Sequence, residues 1–140
     1  MILKIKKLHK DAKVPKYAHH DDAGFDLFTT DDVIIKKGER FLIQTGLAME
    51  IPEGFVGLVW DKSGLSVKHG IKTIAGVVDS TYRGEVLVAV MNLGESDYHF
   101  QKGHKVAQMI IQRKETADFE EVDELSTTVR GDGKLGSTGK

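Results

Sequence analysis

The chain has 140 residues, a length that suits a single domain with a substantial core. Its 20 Lys and Arg residues against 21 Asp and Glu residues give a net charge of −1, which excludes broad electrostatic capture of nucleic acid. Cysteine is absent, so disulfides and thiolate metal sites are excluded. The first eight residues are interrupted by lysine, and no apolar run approaches the ~20 residues of a membrane span. We therefore expect no nucleic-acid partner, no membrane partner and a cytoplasmic location.

Short runs of Val, Ile and Leu between turn clusters, with 15 glycines and two prolines, predict an all-β sandwich or jelly roll. We predict strands over residues 2–8, 25–30, 32–36, 40–50, 54–60, 71–75, 86–93, 97–100 and 105–113. One short helix is predicted over residues 64–69, capped by Ser63 at its start and ended by Gly70. Residues 1–125 are predicted to form the domain, and residues 126–140 a glycine-rich flexible tail.

The first segment with chemistry surrounds Asp26, which lies between apolar residues at a strand start and therefore needs a cleft or a partner. The preceding His19, His20, Asp21 and Asp22 invite a zinc or iron interpretation. We reject it because adjacent histidines in a polar loop are usually solvated and no further ligands follow at usable spacing.

Two later segments carry polar groups beside predicted strands. Lys62, Ser63 and Gly64 form a turn into the helix, whose free N–H groups, hydroxyl and positive end suit a phosphate. This signal is weak, because Ser-Gly at a helix start is common. Gln108 lies on an alternating strand, and spacing alone favours a side chain that caps a backbone group.

Residues 75–85 (AGVVDSTYRGE) place an acid, an aromatic residue and a cation between two apolar strands. Val77 and Val78 are predicted to end one strand and residues 86–91 to return as its hairpin partner, with Asp79 in the turn. Such a tip could offer main-chain N–H and C=O groups to a base. Ordinary turn chemistry also explains an Asp and a Ser, and for this segment taken alone it is the favoured explanation.

The last residues are rich in Ser, Thr and Gly, and residues 130–139 contain four glycines with flanking cations. This segment is not a Walker sequence, because the lysine spacing is wrong and no helix can follow. Its backbone N–H groups could still wrap a triphosphate. A disordered terminus and a tail that orders on a ligand both fit the composition.

Taken together and in this order, the five segments resemble the motifs of the trimeric dUTPases (dUTP diphosphatases) over residues 23–139. The match over residues 76–84 is the most specific. The resemblance implies a jelly-roll, β-clip-like fold, a homotrimer with shared active sites, and Mg²⁺-assisted hydrolysis of dUTP to dUMP and pyrophosphate. This activity keeps uracil out of DNA and supplies dUMP for thymidylate synthesis.

The resemblance also implies roles for single residues. Asp79 would be the catalytic base, and Asp26 would hold the metal through water. The implied substrate contacts are Lys62, Ser63, Gly64, Gly76, Val78, Asp79, Tyr82, Gln108, Arg130, Leu135, Gly136 and Ser137. Lys62 and Lys105 stand where the family usually has arginine, and Leu135 where it usually has an aromatic that stacks on uracil. Losing that stack should cost about 1 kcal/mol.

Two other functions remain open from the sequence. A dCTP deaminase, or a bifunctional deaminase and diphosphatase, shares the implied fold, although the Asp79, Tyr82 and Arg83 pattern favours the plain diphosphatase. A nucleotide-sensing module in which dUTP reorders the tail to control a partner belongs to another class. Ammonia release from dCTP, and nucleotide binding without turnover, would distinguish them.

Overall fold

The computed structural model describes residues 1–134 and contains ten strands and one helix within them. The strands are β1 (Lys4–Lys7), β2 (Phe25–Phe28), β3 (Val33–Ile35), β4 (Arg40–Glu50), β5 (Phe55–Trp60), β6 (Ile71–Thr73), β7 (Val77–Val78), β8 (Glu85–Asn92), β9 (Tyr98–Phe100) and β10 (Lys105–Arg113). The helix, α1, spans Ser63–His69. The all-β class with one short helix is confirmed. No helix among residues 1–134 is long and apolar enough to cross a membrane.

Two four-stranded antiparallel sheets enclose the core. One sheet has the order β1-β4-β8-β6 and the other the order β2-β10-β5-β7, while β3 and β9 form a small separate pair. In β8 every second side chain is buried, so Val86, Val88 and Val90 point into the core. This period of two is the pattern of a strand with one covered face. The core therefore lies between the sheets.

The helix begins one residue earlier than the sequence predicted, and Ser63 is not its cap. Lys62 is the N-cap residue, with an extended backbone (φ −84°, ψ 121°) and no side-chain capping hydrogen bond. Ser63 already has a helical conformation. Its hydroxyl is therefore not placed to accept the free N–H groups two or three residues ahead, as an N-cap side chain does. Gly70 ends the helix as predicted, with a left-handed φ of 69° and its N–H bonded to the Ser66 carbonyl over 3.0 Å.

The predicted hairpin between residues 77–78 and 86–91 is wrong. Strand β7 pairs with β5, whereas β8 pairs with β4 and β6 in the other sheet. Residues 79–84 therefore cross from one sheet to the other. The long apolar strand β8 has a partner on both edges, and this leaves β7 to pair with the free edge of β5.

After β10 the chain has no regular element up to residue 134. Its side chains are exposed, Phe119 and Val129 among them. The hydrogen bonds of residues 128–133 are local, for example from the Gly131 N–H to the Thr128 carbonyl and from the Gly133 N–H to the Arg130 carbonyl, both over 3.1 Å. The division between a domain and a tail at residue 125 stays a prediction.

Candidate active site

A cavity of about 280 Å³ lies where β7 leaves its sheet and the chain crosses to β8. Its wall includes Val77, Val78, Asp79, Tyr82 and Glu85. The volume is just below the range of ~300–1,000 Å³ that holds drug-sized ligands, which suits a molecule the size of a nucleoside. Three of the predicted substrate contacts, Gly76, Val78 and Tyr82, thus line one cavity together with the predicted base, Asp79.

The floor of this cavity carries main-chain groups that the sheet does not use. Val59 donates its N–H to the Gly76 carbonyl over 2.8 Å, and the register sets Leu58 opposite Val77. Because hydrogen-bonded and non-bonded pairs alternate along an antiparallel ladder, Leu58 and Val77 form a non-bonded pair. The N–H and C=O of Val77 consequently point away from β5, and β7 is the edge strand of its sheet. A flat base could pair with them.

The bend before this edge needs an unusual backbone. Gly76 has φ 114°, and a Cβ there would lie 2.7 Å from the Val59 carbonyl oxygen, so only glycine fits. Ala75 has φ 60°, a strained value for a residue with a side chain. Backbone strain of this kind concentrates at binding sites, where the surrounding fold imposes it.

The crossing loop is held by its own side chains. Arg83 donates through Nη1 to the carbonyls of Ser80 (2.6 Å) and Tyr82 (2.8 Å), and the Tyr82 hydroxyl donates to the Glu85 carbonyl (3.0 Å). Glu85 accepts the Gly46 N–H over 2.7 Å, which ties the loop to a bulge in β4. Within residues 1–134 the exposed Asp79 carboxylate has no hydrogen bond or ion pair, so it is free to accept a proton from a ligand or water.

A second group of predicted residues lies around Asp26 on β2. Its Oδ1 is 2.5 Å from Lys62 Nζ and its Oδ2 is 2.6 Å from Lys105 Nζ, while only 9% of its side chain is exposed. Burial raises the pKa of this carboxyl, but the hydrogen bonds from Lys105 and Lys62 outweigh burial and hold the pKa below its ordinary value. Asp26 is therefore a charged carboxylate with an ammonium on each oxygen.

Asp61 fixes the segment that carries Lys62. Its Oδ1 accepts the backbone N–H of Thr73 (2.6 Å) and the Thr73 hydroxyl (2.7 Å), and its Oδ2 pairs with Lys72 (2.8 Å). Burial raises the pKa of Asp61, but the hydrogen bonds from Lys72 and Thr73 outweigh burial, so the pKa lies below its ordinary value. Gln108 Nε2 donates to the Asp61 carbonyl over 2.9 Å, so Gln108 caps a backbone group here.

A cationic depression of about 300 Å³ opens beside Asp26, lined by Lys62, Gly64, Lys68, His69 and Lys105. Ser63 is exposed at the adjoining helix start. Three lysines around a shallow hollow attract an anion such as a phosphate chain. Lys68 was not singled out in the sequence, because nothing in the spacing indicates that its helix face borders Lys105 of a distant strand.

The cavity at Asp79 and the depression at Asp26 share no lining residue, so the two groups of predicted residues belong to separate hollows of the chain. Arg130 is exposed and bonds through Nε only to the Gly133 carbonyl (3.3 Å) among the described residues. Leu135, Gly136 and Ser137 lie outside the described residues. Sequence reasoning also missed Glu85 and Asp61 as supports, although each directly adjoins a predicted motif.

An all-β protein with a nucleoside-sized cavity on one side and a separate cationic depression has the parts that a nucleotide requires. Comparison with known proteins assigns it more closely. A family model described as dUTPase matches residues 10–139. The chain therefore belongs to the dUTPase family, which confirms the family resemblance of its motifs.

Individual relatives agree with this assignment. The chain is 46% identical over 140 residues to the deoxyuridine 5'-triphosphate nucleotidohydrolase of Clostridium tetani, covering 99% of this chain and 97% of the relative. The enzyme of the same name from Nautilia profundicola is 47% identical over 142 residues, with 100% of each covered. Both relatives span nearly all of the chain.

Solved structures agree as well. The dUTPase of Staphylococcus bacteriophage 80alpha with dUpNHpp superposes with a TM-score of 0.93 at 29% identity over 99% of both chains. A variant dUTPase of phage phi11 of S. aureus, which coordinates a structural Mg(II) ion, gives 0.83 at 27% identity over 89% of this chain and 98% of that chain. The jelly-roll-like fold is thereby confirmed.

Proposed function

We propose that this chain is a dUTP diphosphatase, which hydrolyses dUTP to dUMP and pyrophosphate. The observation that carries the proposal is the cavity at β7, where open main-chain groups, Tyr82 and the Asp79 carboxylate, which has no partner among residues 1–134, lie together. Membership in the dUTPase family and the names of the relatives support the same substrate. The cytoplasmic location stays a prediction.

The cavity suits deoxyuridine in three ways. The Val77 N–H and C=O offer one donor and one acceptor to the edge of a uracil, as the register of β7 requires. The close backbone leaves little room for the amino group of cytosine or the methyl group of thymine. Tyr82, 45% exposed at the rim, would pack against the deoxyribose and exclude a 2′-hydroxyl.

Asp79 would act as general base. It would take a proton from water as the water oxygen bonds to the α-phosphorus, while the bond from that phosphorus to the bridging oxygen breaks and pyrophosphate leaves. A positioned base of this kind contributes about 10²–10⁴ in rate. Its lack of a partner within residues 1–134 leaves the carboxylate available for this role.

Magnesium is the metal that the dUTPase family implies, and Asp26 could bind it through a water molecule. Each Asp26 oxygen already accepts one ammonium, but a carboxylate offers about four acceptor positions, so two remain for metal-bound water. Residues 1–134 contain no group of three or more His, Asp or Glu that could cage a metal. When bound, Mg²⁺ would take phosphate oxygens and water as ligands and neutralise charge on the phosphates.

The assembly that we propose is a homotrimer. The depression lined by Lys62 and Lys105 and the cavity lined by Asp79 are separate hollows of one chain, and neighbouring copies would bring the two together in a complete site. The phosphate contacts would be Lys62, Ser63, Gly64 and Gln108. Arg130, Leu135, Gly136 and Ser137 would close over the nucleotide as a lid from a third copy.

Substitution Asp79→Asn tests the proposed chemistry. We expect it to abolish turnover, measured as proton release, and to change the affinity for dUpNHpp far less, because the amide keeps the shape but cannot take the proton. Asp21→Asn is a matched control, since it removes the same charge from a side chain that is 98% exposed outside the cavity. Unimpaired turnover by Asp79→Asn would remove the central assignment. Pyrophosphate release across the common nucleoside triphosphates, with and without Mg²⁺, tests the substrate.

A further inference from the structure

Each oxygen of the Asp26 carboxylate accepts one cation from its own chain. Lys62 and Lys105 come from the start of α1 and from β10, and their ammonium groups meet on the two oxygens of this one buried carboxylate. Neither ammonium has another hydrogen-bond partner within residues 1–134. The charge of the three groups together is +1, where the two lysines alone would offer +2.

The same two lysines line the cationic depression with Lys68 and His69. Any phosphate that enters must therefore draw the ammonium groups away from Asp26 or accept them already partly neutralised. The lysines are partly exposed and can turn towards a multiply charged phosphate, but their partner is a buried carboxylate, so the exchange costs more than breaking a surface ion pair. Asp26 and phosphate thus compete for the positive charge of the same two lysines.

We propose that Asp26 is an internal counter-ion that holds Lys62 and Lys105 until a phosphate chain exchanges for it. This inference rests on the proposed function and concerns the same phosphate site. The proposal predicts the direction of one effect: in the absence of metal, the Asp26 carboxylate lowers the affinity for phosphate. A carboxylate that only shaped the site would strengthen it.

Lysine suits this exchange better than arginine. An ammonium is a point charge on a flexible stem, whereas a guanidinium holds a carboxylate with a rigid two-pronged fork. The Lys62 and Lys105 side chains are 30% and 50% exposed, against 9% for Asp26, so they reach inward from an open surface and have room to turn outward. The carboxylate stays in place and the cations move.

A coupling between divalent cation and phosphate follows. A hydrated cation bound at the open acceptor positions of Asp26 would offset the negative charge of the carboxylate and leave more of the lysine charge for phosphate. By thermodynamic linkage, bound phosphate then raises the affinity of the protein for the cation by the same factor. Removing the carboxylate should abolish this part of the coupling.

The test is a binding titration of inorganic tripolyphosphate in EDTA with the full-length protein, comparing wild type with Asp26→Asn. We expect the variant to bind about 2- to 10-fold more tightly, and we expect added Mg²⁺ to raise its affinity less than that of wild type. Glu95→Gln is the matched control, because Glu95 also pairs with a lysine (Lys37, 2.6 Å) but is 92% exposed elsewhere. Equal or weaker binding by a folded Asp26→Asn protein overturns the proposal.

A second measurement uses wild type and does not depend on the variant folding. Tripolyphosphate added in EDTA should shift the side-chain carboxyl ¹³C resonance of Asp26 together with the Nζ resonances of Lys62 and Lys105. Lysine shifts without an Asp26 shift would contradict the exchange. The two proposals fail in different ways. A wild-type protein that neither hydrolyses dUTP nor binds tripolyphosphate would contradict the proposed function, whereas a wild-type protein that does both and binds no more weakly than Asp26→Asn would contradict only the counter-ion role.

Discussion

Gly84 leaves room for the ring of Tyr82, because a side chain at position 84 would collide with it. The substitution Gly84→Ala therefore tests the sugar-binding role of that ring. A Cβ at position 84 would lie 2.6 Å from Cζ and 2.9 Å from Cε2 of Tyr82, closer than real Cβ contacts allow. Position 84 does not have a positive φ, so the substitution strains no backbone dihedral. The side chain that must move is the ring, which is 45% exposed and can turn into solvent.

The cost can be estimated from what the ring loses. Its hydroxyl gives up the 3.0 Å bond to the Glu85 carbonyl, worth about 0.5–1.5 kcal/mol. The aromatic contact with the substrate is worth about as much again. The internal bond is lost with and without substrate, so only the substrate contact changes KM, and a loss of about 1 kcal/mol there corresponds to roughly a five-fold rise. We expect kcat to fall less, because a contact with the sugar is present in both ground and transition states.

Steady-state hydrolysis of dUTP measures the effect, and two further variants locate it. Tyr82→Phe removes only the hydroxyl and should change KM little. Gly84→Ala combined with Tyr82→Ala should be no worse than Tyr82→Ala alone, since the glycine acts through the ring. A fully additive double variant would refute the reasoning, as would an unchanged KM in Gly84→Ala. The Tm should change by less than about 4 °C, because no core residue moves.

Two further predictions concern the tail and acid stability. Removal of residues 130–140 should leave Tm unchanged but weaken dUpNHpp binding and slow turnover at least about tenfold, because residues 130–134 lie outside the buried core and the proposed lid contacts would be lost; a fully active truncated protein would contradict this. The folded pKa of Asp26 lies below its ordinary value of 3.8. Its ionisation thus stabilises the fold above about pH 3.8, and this stabilisation is lost as pH falls through the folded pKa. The Tm of wild type should therefore fall more between pH 5 and pH 3 than that of Asp26→Asn; parallel curves would exclude the effect.

Local patterns predicted much of the fold. The strands at residues 40–50 and 105–113 were predicted to the residue, because alternating apolar side chains and flanking turn residues mark both ends. Gly70 ended the helix as its left-handed preference indicates. The prediction that Ser63 caps the helix was wrong. The cap is set by which residue first adopts helical dihedral angles, and that residue can shift by one position without a change in the sequence pattern.

The pairing of β7 shows where local reasoning stops. Two apolar runs joined by a turn favour a hairpin, yet Val77 and Val78 lie beside Gly57 and Leu58 of another strand. The choice of partner depends on which sheet edge is free after the longer strands have paired, and that is a property of the whole molecule. The error matters for function, because the open edge of β7 exists only in the arrangement that the structure shows.

The sequence by itself determined the all-β class, the order of the motifs and the family, since these depend on residue types and spacing along the chain. Tertiary structure alone decided that Lys62 and Lys105 share the carboxylate of Asp26, that Gln108 bonds to the Asp61 carbonyl, and that Asp79 has no side-chain partner among residues 1–134. These residues are separated by tens of positions, and which charge meets which depends on how two sheets stack. Their distances, and hence their energies, are set by that stacking and not by the spacing of residues along the chain.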